Sequence, residues 1–270
     1  MTVSKTSLFA LATLAFLSLP ALADGKASTV AGAGFTPAQE ARIGQVAADY
    51  LLAHPDILLQ VSQKLQAQQQ EKQQKALTAA VLANQDALVK DRENPSYGPA
   101  EAKVVLVEFF DYQCVVCSHE APALEAVMKS RPQVRYVFRS WPIFAQRWEN
   151  SLKAAERGQD IWQAAGAEAW LAWHHGIFAT GHNEGALTGE DISRAAAAAL
   201  KGRKIQGGEA DARTVLDGNN RLAQALGLQG TPALIVMPVS GATAENTTVI
   251  AGGAGKPVLL AAIDKASGKA

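Results

Sequence analysis

The stretch AKVVLVEFFDY, residues 102–112, is an almost unbroken apolar run. A strand with one wet face alternates apolar and polar side chains. This one does not, so it belongs in the middle of a sheet covered on both faces. Downstream, SHEAPALEAVMKS places Ala121, Leu124, Val127 and Met128 at the spacing of an amphipathic helix, and QVRYVFRSWPI supplies a second strand ending near Pro142. A strand, a helix and a strand in that order imply a right-handed crossover and parallel pairing. From about Ala145 to Leu226 the sequence is alanine-rich and helical in character, with Trp148, Trp162, Trp170 and Trp173 among charged residues. One crossover needs far less chain, so this stretch forms a helical subdomain of its own. GTPALIVMPV and NTTVIAGGAG then read as two strands joined by a short turn around Ser240 and Gly241, followed by a last helix from KPVLLAAIDKAS. The fold class is α/β, a small mixed sheet with helices packed on it and an inserted helical lobe.

The N-terminus has a different character. Lys5 precedes an apolar run from Leu8 to Leu19, followed by Pro20 and the small-residue pattern Ala21-Leu22-Ala23. The run is too short to span a bilayer comfortably and reads as a secretory signal over residues 1–23, cleaved after Ala23; an uncleaved anchor is the alternative. GKASTVAGAGF, which follows, has no periodicity and reads as a flexible leader. Thr36 is then a helix N-cap, Pro37 sits at the first helical position, and Gln39 falls where a capping box wants Glu or Gln. Ile43, Val46, Tyr50 and Leu51 follow at helical spacing until Pro55 ends or kinks the helix. The next helix carries Leu58, Val61 and Leu65 on one face, passes through QAQQQEKQQK, and resumes with Leu77, Val81 and Leu88. A stripe that fades into glutamines cannot be buried against a globular core along its whole length. Residues 24–92 are therefore expected to form a helical arm that pairs with copies of itself, the alternative being an arm folded back on its own domain. Pro95, Gly98 and Pro99 mark the boundary, with the main domain over 93–270 and its helical insertion at about 145–226.

A formal net charge of +0, from 25 basic and 25 acidic residues, gives no electrostatic reason to expect a nucleic-acid partner. The chain has only two cysteines, Cys114 and Cys117 in DYQCVVCSHE, and in an exported protein a disulfide between them would persist. Three readings compete. As a staple, a disulfide closing so small a loop constrains little of the unfolded chain. A zinc site needs about four ligands. There is no second cysteine pair, and His119, His174, His175 and His182 have no spacing that singles them out. His174 and His175 read more simply as helix-end or core-edge residues, and His54 as a solvated neighbour of Pro55. The redox reading explains position as well as pairing. Cys114 sits where a buried strand gives way to a helix, so unpaired N–H groups and the positive end of the helix dipole favour its thiolate. Cys117, one helical turn deeper, is placed to resolve a mixed disulfide. Glu108 interrupts the apolar run before them. It is either a carboxylate on a water-facing strand surface or a buried proton acceptor for Cys117 with a raised pKa.

VEFFDYQCVVC after a hydrophobic strand, a long helical insertion, and GTPALIV opening a later strand together resemble the DsbA-like branch of the thioredoxin superfamily, the thiol-disulfide oxidoreductases of the bacterial envelope. The resemblance covers roughly residues 93–268. It implies a thioredoxin fold with an inserted helical subdomain and an N-terminal helical extension, a periplasmic location, and a reversible disulfide between Cys114 and Cys117. It implies Glu108 as the buried acid. It also implies a cis peptide at Thr231-Pro232 that brings this loop beside the cysteines and leaves the Thr231 backbone free to pair with an extended substrate. Gly252 and Gly253 look like the glycine turn between last strand and last helix; GGAGKP lacks the hydroxyl residue that a phosphate loop carries after lysine. The arm is similar in layout to that of ScsC-like proteins, where it drives oligomerisation, so a homodimer or homotrimer is implied. One departure is the dipeptide between the cysteines. Val115-Val116 replaces the Pro-His of strongly oxidising members, and Thr231 stands where those often carry valine; both point to a less oxidising couple.

The expected activity is that of a periplasmic disulfide isomerase or reductase acting on exported cysteine-containing proteins, reset by a membrane redox partner and using no cofactor. The alternatives are a DsbA-type dithiol oxidase recycled by a membrane partner, and a periplasmic protein that binds copper through Cys114 and Cys117.

Overall fold

The computed structural model describes residues 34–205 and 209–269. The expected signal, with its cleavage after Ala23, lies outside the described residues. The chain divides into two compact units, Met1–Val61 and Ser62–Ala270.

In the first unit, α1 (Pro37–Ala53) begins as its sequence dictates. The Thr36 N–H donates to the Gln39 side chain at 2.8 Å, and the Gln39 N–H donates back to the Thr36 hydroxyl at 3.3 Å. Pro37 has no N–H to leave unpaired in that first turn. The helix stops at His54, whose ring packs on Tyr50 with centroids 4.4 Å apart, and the chain restarts beyond Pro55 as α2 (Asp56–Ala83). No residue of α1 is buried, and Ile43, Val46 and Tyr50, one turn apart, are 48%, 51% and 56% exposed.

The glutamine tract, residues 66–75, lies within α2. Leu58, Val61 and Leu65 before the tract are exposed, while Leu77 and Val81 after it are buried. A short α3 (Gln85–Val89) then buries Leu88 and Val89 in the same cluster. What reads in the sequence as one fading stripe is two: an exposed one that has no partner among the described residues, and a buried one that belongs to the core of the larger unit.

The remaining elements are β1 (Ser96–Tyr97), β2 (Val104–Phe110), α4 (Val115–Ser130), β3 (Arg135–Ser140), α5 (Glu149–Phe178), α6 (Gly189–Ala199), α7 (Glu209–Leu226), β4 (Ala233–Pro238), β5 (Thr248–Ala251) and α8 (Lys256–Ala266). The strands form one sheet in the order β1-β3-β2-β4-β5, with β2 parallel to β3 and antiparallel to β4. The parallel pairing expected from strand, helix and strand is present. The edge strand β1 was not legible, because two residues pairing with Val137 and Tyr136 carry no pattern.

Every residue of β2 is buried, as an apolar run at the centre of a sheet requires. Alternate side chains face opposite sides. Leu106 and Phe110 pack with Leu124, Ile161, Trp170 and Leu259, on the side of α4, α5 and α8. Val105, Val107 and Phe109 pack with Leu77, Leu88 and Leu226, on the side of α2, α3 and α7. The insertion is the expected helical lobe, with α5 interrupted at Gly166, where φ is +75°. His174 is a core residue of this lobe, buried and stacked on Trp170 with ring centroids 4.6 Å apart, and burial pushes its pKa well below 6.5.

Candidate active site

The loop between β2 and α4 is shaped by its own residues. One oxygen of the buried Asp111 accepts the Gln113 N–H at 2.8 Å; the other accepts the Phe144 N–H at 3.0 Å and the Ser151 hydroxyl at 2.7 Å. Burial pushes the Asp111 carboxyl up, and these donors oppose the shift. Its carbonyl accepts the Cys114 N–H at 3.0 Å. Gln113 ties the loop to the insertion, since its side-chain oxygen accepts the Gly185 N–H at 2.8 Å and its carbonyl the Glu184 N–H at 2.9 Å.

Cys114 ends this loop as the N-cap of α4, its Sγ accepting the Cys117 N–H at 3.3 Å. An N-cap acceptor sits among the unpaired donors and the positive end of the helix, where negative charge is favoured. As a thiol, Cys114 also donates to the Thr231 carbonyl at 3.2 Å. Its pKa falls from 9.0 to about 6: the Cys117 thiol contributes most, burial opposes, and the Thr231 hydroxyl and the Cys117 and Val116 N–H groups add to the fall. Cys117 shifts the other way. Burial, then Cys114, then the charge of Glu108 push it well above 9.0. One sulfur therefore ionises near neutrality while its neighbour stays a thiol. Both are free thiols in this structure.

Glu108 lies on the cysteine side of β2, 1% exposed, and its Oε2 has no hydrogen-bond partner among the described residues. Burial, followed by the charges of Glu120 and Cys114, pushes its carboxyl well above 4.5. The Thr231-Pro232 peptide is cis. The Thr231 hydroxyl is buried and makes no hydrogen bond of ordinary geometry, so its pull on Cys114 is exerted on the ionised sulfur. Gly252, with φ at +122°, donates its N–H to the Pro232 carbonyl at 2.9 Å, which sets the turn between β5 and α8 against this loop. A Cβ on Gly253 would stand 2.9 Å from Val116 Cγ1, so only glycine allows that approach without displacement. The structure thus brings Cys114, Cys117, Glu108, Thr231 and Pro232 into one place from three separate segments. His119 is exposed on α4.

Sequence reasoning missed two residues here. Asp111 carries no distinguishing pattern, and only the fold shows what it binds. Glu120 is 4% exposed, its Oε1 accepts the Ala254 N–H at 3.3 Å, and its Oε2 is buried without a partner. Burial, opposed by the Ala254 N–H and assisted by Cys114, pushes its pKa up to about 7. Its signal was present: Cys117, Glu120 and Leu124 share one helix face, so a charge interrupts a buried stripe.

Residues 90–239 match the family described as Thioredoxin, and residues 39–72 match the N-terminal domain of the copper resistance protein ScsC. BcfH of Salmonella enterica Typhimurium is 35% identical, with a TM-score of 0.71, covering 85% of this chain and 96% of that one. ScsC of Proteus mirabilis in a transitional conformation is 27% identical, with a TM-score of 0.59, covering 87% of this chain and 100% of that one. A stretch of 71 residues, 24% of this chain, is 32% identical to part of the Na(+)/H(+) antiporter NhaA 3 of Salinispora tropica, and the matched piece is 11% of that protein.

Proposed function

The chain belongs to the thioredoxin family, and from that premise we propose that it is a periplasmic protein-disulfide isomerase or reductase acting through Cys114 and Cys117. The observation that carries this reading is the opposed ionisation of the two sulfurs, with Cys114 at about 6 and Cys117 held well above 9.0. In the reaction, the Cys114 thiolate attacks one sulfur of a substrate disulfide; a mixed disulfide forms, and the released substrate thiolate takes up a proton. The extended substrate segment pairs with the backbone of Thr231, next to Cys114. From there two outcomes balance. A second substrate thiol can attack the mixed disulfide, leaving an isomerised substrate and the original dithiol. Alternatively Cys117 gives its proton to Glu108, its sulfur attacks Cys114 Sγ, and the second substrate thiolate leaves, taking that proton. The substrate gains two electrons, and the Cys114–Cys117 disulfide is left for a membrane dithiol partner to reduce.

Isomerisation is favoured over plain oxidation by two features. Val115-Val116 places no cation beside Cys114. The first turns of the arm expose Ile43, Val46, Tyr50, Leu58 and Val61, an apolar surface that a dimer or trimer would cover and that would gather several redox sites around one substrate. The N-terminal apolar run delivers the chain to the periplasm. Refolding of scrambled ribonuclease by the full chain and by a chain starting at Ser62 tests the reading. The shortening keeps Leu77, Val81 and Leu88, which the core needs. Isomerase activity that depends on the arm supports it; activity unchanged without the arm removes the arm's role, and no activity in either removes isomerisation.

A further inference from the structure

Glu120 is a buried acid on the cysteine-bearing face of α4 that has no part in the proton transfer to Glu108. Glu120 projects from α4 into the space between the cysteines and the β5–α8 turn. One of its oxygens is held by the Ala254 N–H, and the other is enclosed with no hydrogen-bond donor. A buried oxygen without a donor is costly unless it keeps a proton or serves a purpose. The titratable groups that act with it are Glu108 from β2 and Cys114 from the loop before α4. Gly253 lies against the second oxygen, which a Cβ on that residue would meet at 3.9 Å, and Val116 and Pro232 flank the same glycine. No cation is among them, so a thiolate and two carboxylates in this space would be three uncompensated negative charges.

We propose that Glu120 is a positioning residue of the redox site that acts through Cys114: its carboxylate opposes the thiolate, so reduction of the disulfide draws a proton onto Glu120. The inference rests on Cys114 and Cys117 being the redox couple. Reduction by a small dithiol or by glutathione breaks the Cys114–Cys117 bond and delivers two electrons. One proton goes to Cys117, Cys114 remains a thiolate, and the new negative charge pulls a further proton from solvent onto Glu120. Coupling of this kind is reciprocal. Above neutrality, where Glu120 would be ionised in the disulfide form, the dithiol form is penalised and the couple is less oxidising. Below the Cys114 titration there is no thiolate to oppose, and Glu120 has no effect.

The test is the equilibrium of the full chain with reduced and oxidised glutathione at pH 5 and pH 8, for the native sequence, Glu120→Gln and Glu120→Leu. Gln keeps an acceptor for the Ala254 N–H, and Leu matches the apolar stripe, so at least one neutral replacement retains the fold. Both variants should match the native protein at pH 5 and be severalfold more easily reduced at pH 8, with the thiolate absorbance of Cys114 appearing at lower pH. A residue that only shapes the turn would move neither the pH dependence nor the absorbance in the Gln variant. If the native protein equilibrates with glutathione and both variants keep its pH dependence, the role of Glu120 is overturned and the redox reading stands. If the native protein does not exchange with glutathione at any pH, the redox reading itself falls.

Discussion

Acidification should weaken the fold of the dithiol form more than that of the disulfide form. The native Cys114 thiol titrates at about 6, against 9.0 for an ordinary cysteine. A depressed pKa stabilises the folded state fully above the unfolded value and loses that contribution as pH falls through the folded value. Each unit in this window is worth about 1.4 kcal/mol. At pH 7 the dithiol form therefore holds about 1.4 kcal/mol from this source, reduced to about 1 kcal/mol to allow for solvent screening. At pH 5 almost none remains. The disulfide form has no thiol to ionise. Glu108 and Glu120, whose raised pKa values weaken the fold as pH rises, are present in both forms, so the larger part set by burial cancels; the part set by the Cys114 charge falls on the dithiol form alone and offsets some of its gain. Denaturant unfolding of reduced and oxidised protein at pH 5, 6, 7 and 8 gives the difference directly. It should grow by about 1 kcal/mol in favour of the reduced form between pH 5 and 7 and continue to rise to pH 8, while the Cys114→Ser variant, which forms no disulfide and has no thiol at that position to ionise, should lack the gain seen in the reduced native protein. A reduced-minus-oxidised difference that does not change with pH would refute the assignment of an acidic thiol to Cys114.

Thr231→Val removes a buried hydroxyl that has no partner and that favours the thiolate. The Cys114 absorbance transition should move to higher pH, while stability holds or gains about 1 kcal/mol; an unmoved transition would separate Thr231 from thiolate chemistry. Glu108→Gln keeps the shape of a buried neutral carboxyl but cannot accept the Cys117 proton. Resolution of a trapped mixed disulfide should slow by about 100-fold, read by acid quench and mass spectrometry, with the first attack by Cys114 unchanged. Gly253→Ala would set a Cβ 2.9 Å from Val116 Cγ1 and should cost about 1–3 kcal/mol in thermal or denaturant unfolding, while a neutral effect would show that Val116 moves freely.

Much of this site is legible in the sequence for local reasons. β2 and α4 are adjacent in the chain, so their junction, and the sulfur at it, follow from a strand pattern meeting a helix pattern. The same holds for the Thr36 cap, where three consecutive signals agree. What stayed hidden is non-local. Asp111 matters because Phe144 and Ser151 reach it from beyond β3, and no spacing in DYQC announces that. The end of α2 was misread for the opposite reason. Leu77 and Val81 have the right period for a free seam, but the period of a helix says only that one face is apolar, not what covers it. The tract of glutamines supplied the length to carry the chain from one situation to the other, and Gln74 even donates to the Val249 carbonyl of β5 at 3.0 Å.

The sheet also explains why Glu108 has no counter-charge although a cation lies close by in register. Phe109 of β2 pairs with Arg139 of β3, and Glu108 pairs with Phe138. Alternation then sends Glu108 toward the cysteines and Arg139 to the opposite face, where it lies over the Phe109 ring, bonds Asn219 at 2.9 Å and forms an ion pair with Asp91. A buried acid and a buried cation thus occupy neighbouring rungs of one sheet without meeting, because the sheet itself separates them. A slip of one residue in β2 would bring Glu108 to the side of Arg139 and turn it away from Cys117, while carrying Val105, Val107 and Phe109 out of their cluster. The packing that fixes the register therefore also keeps the acid unpaired, and an unpaired buried carboxyl is what holds a pKa high enough to take a proton from a thiol.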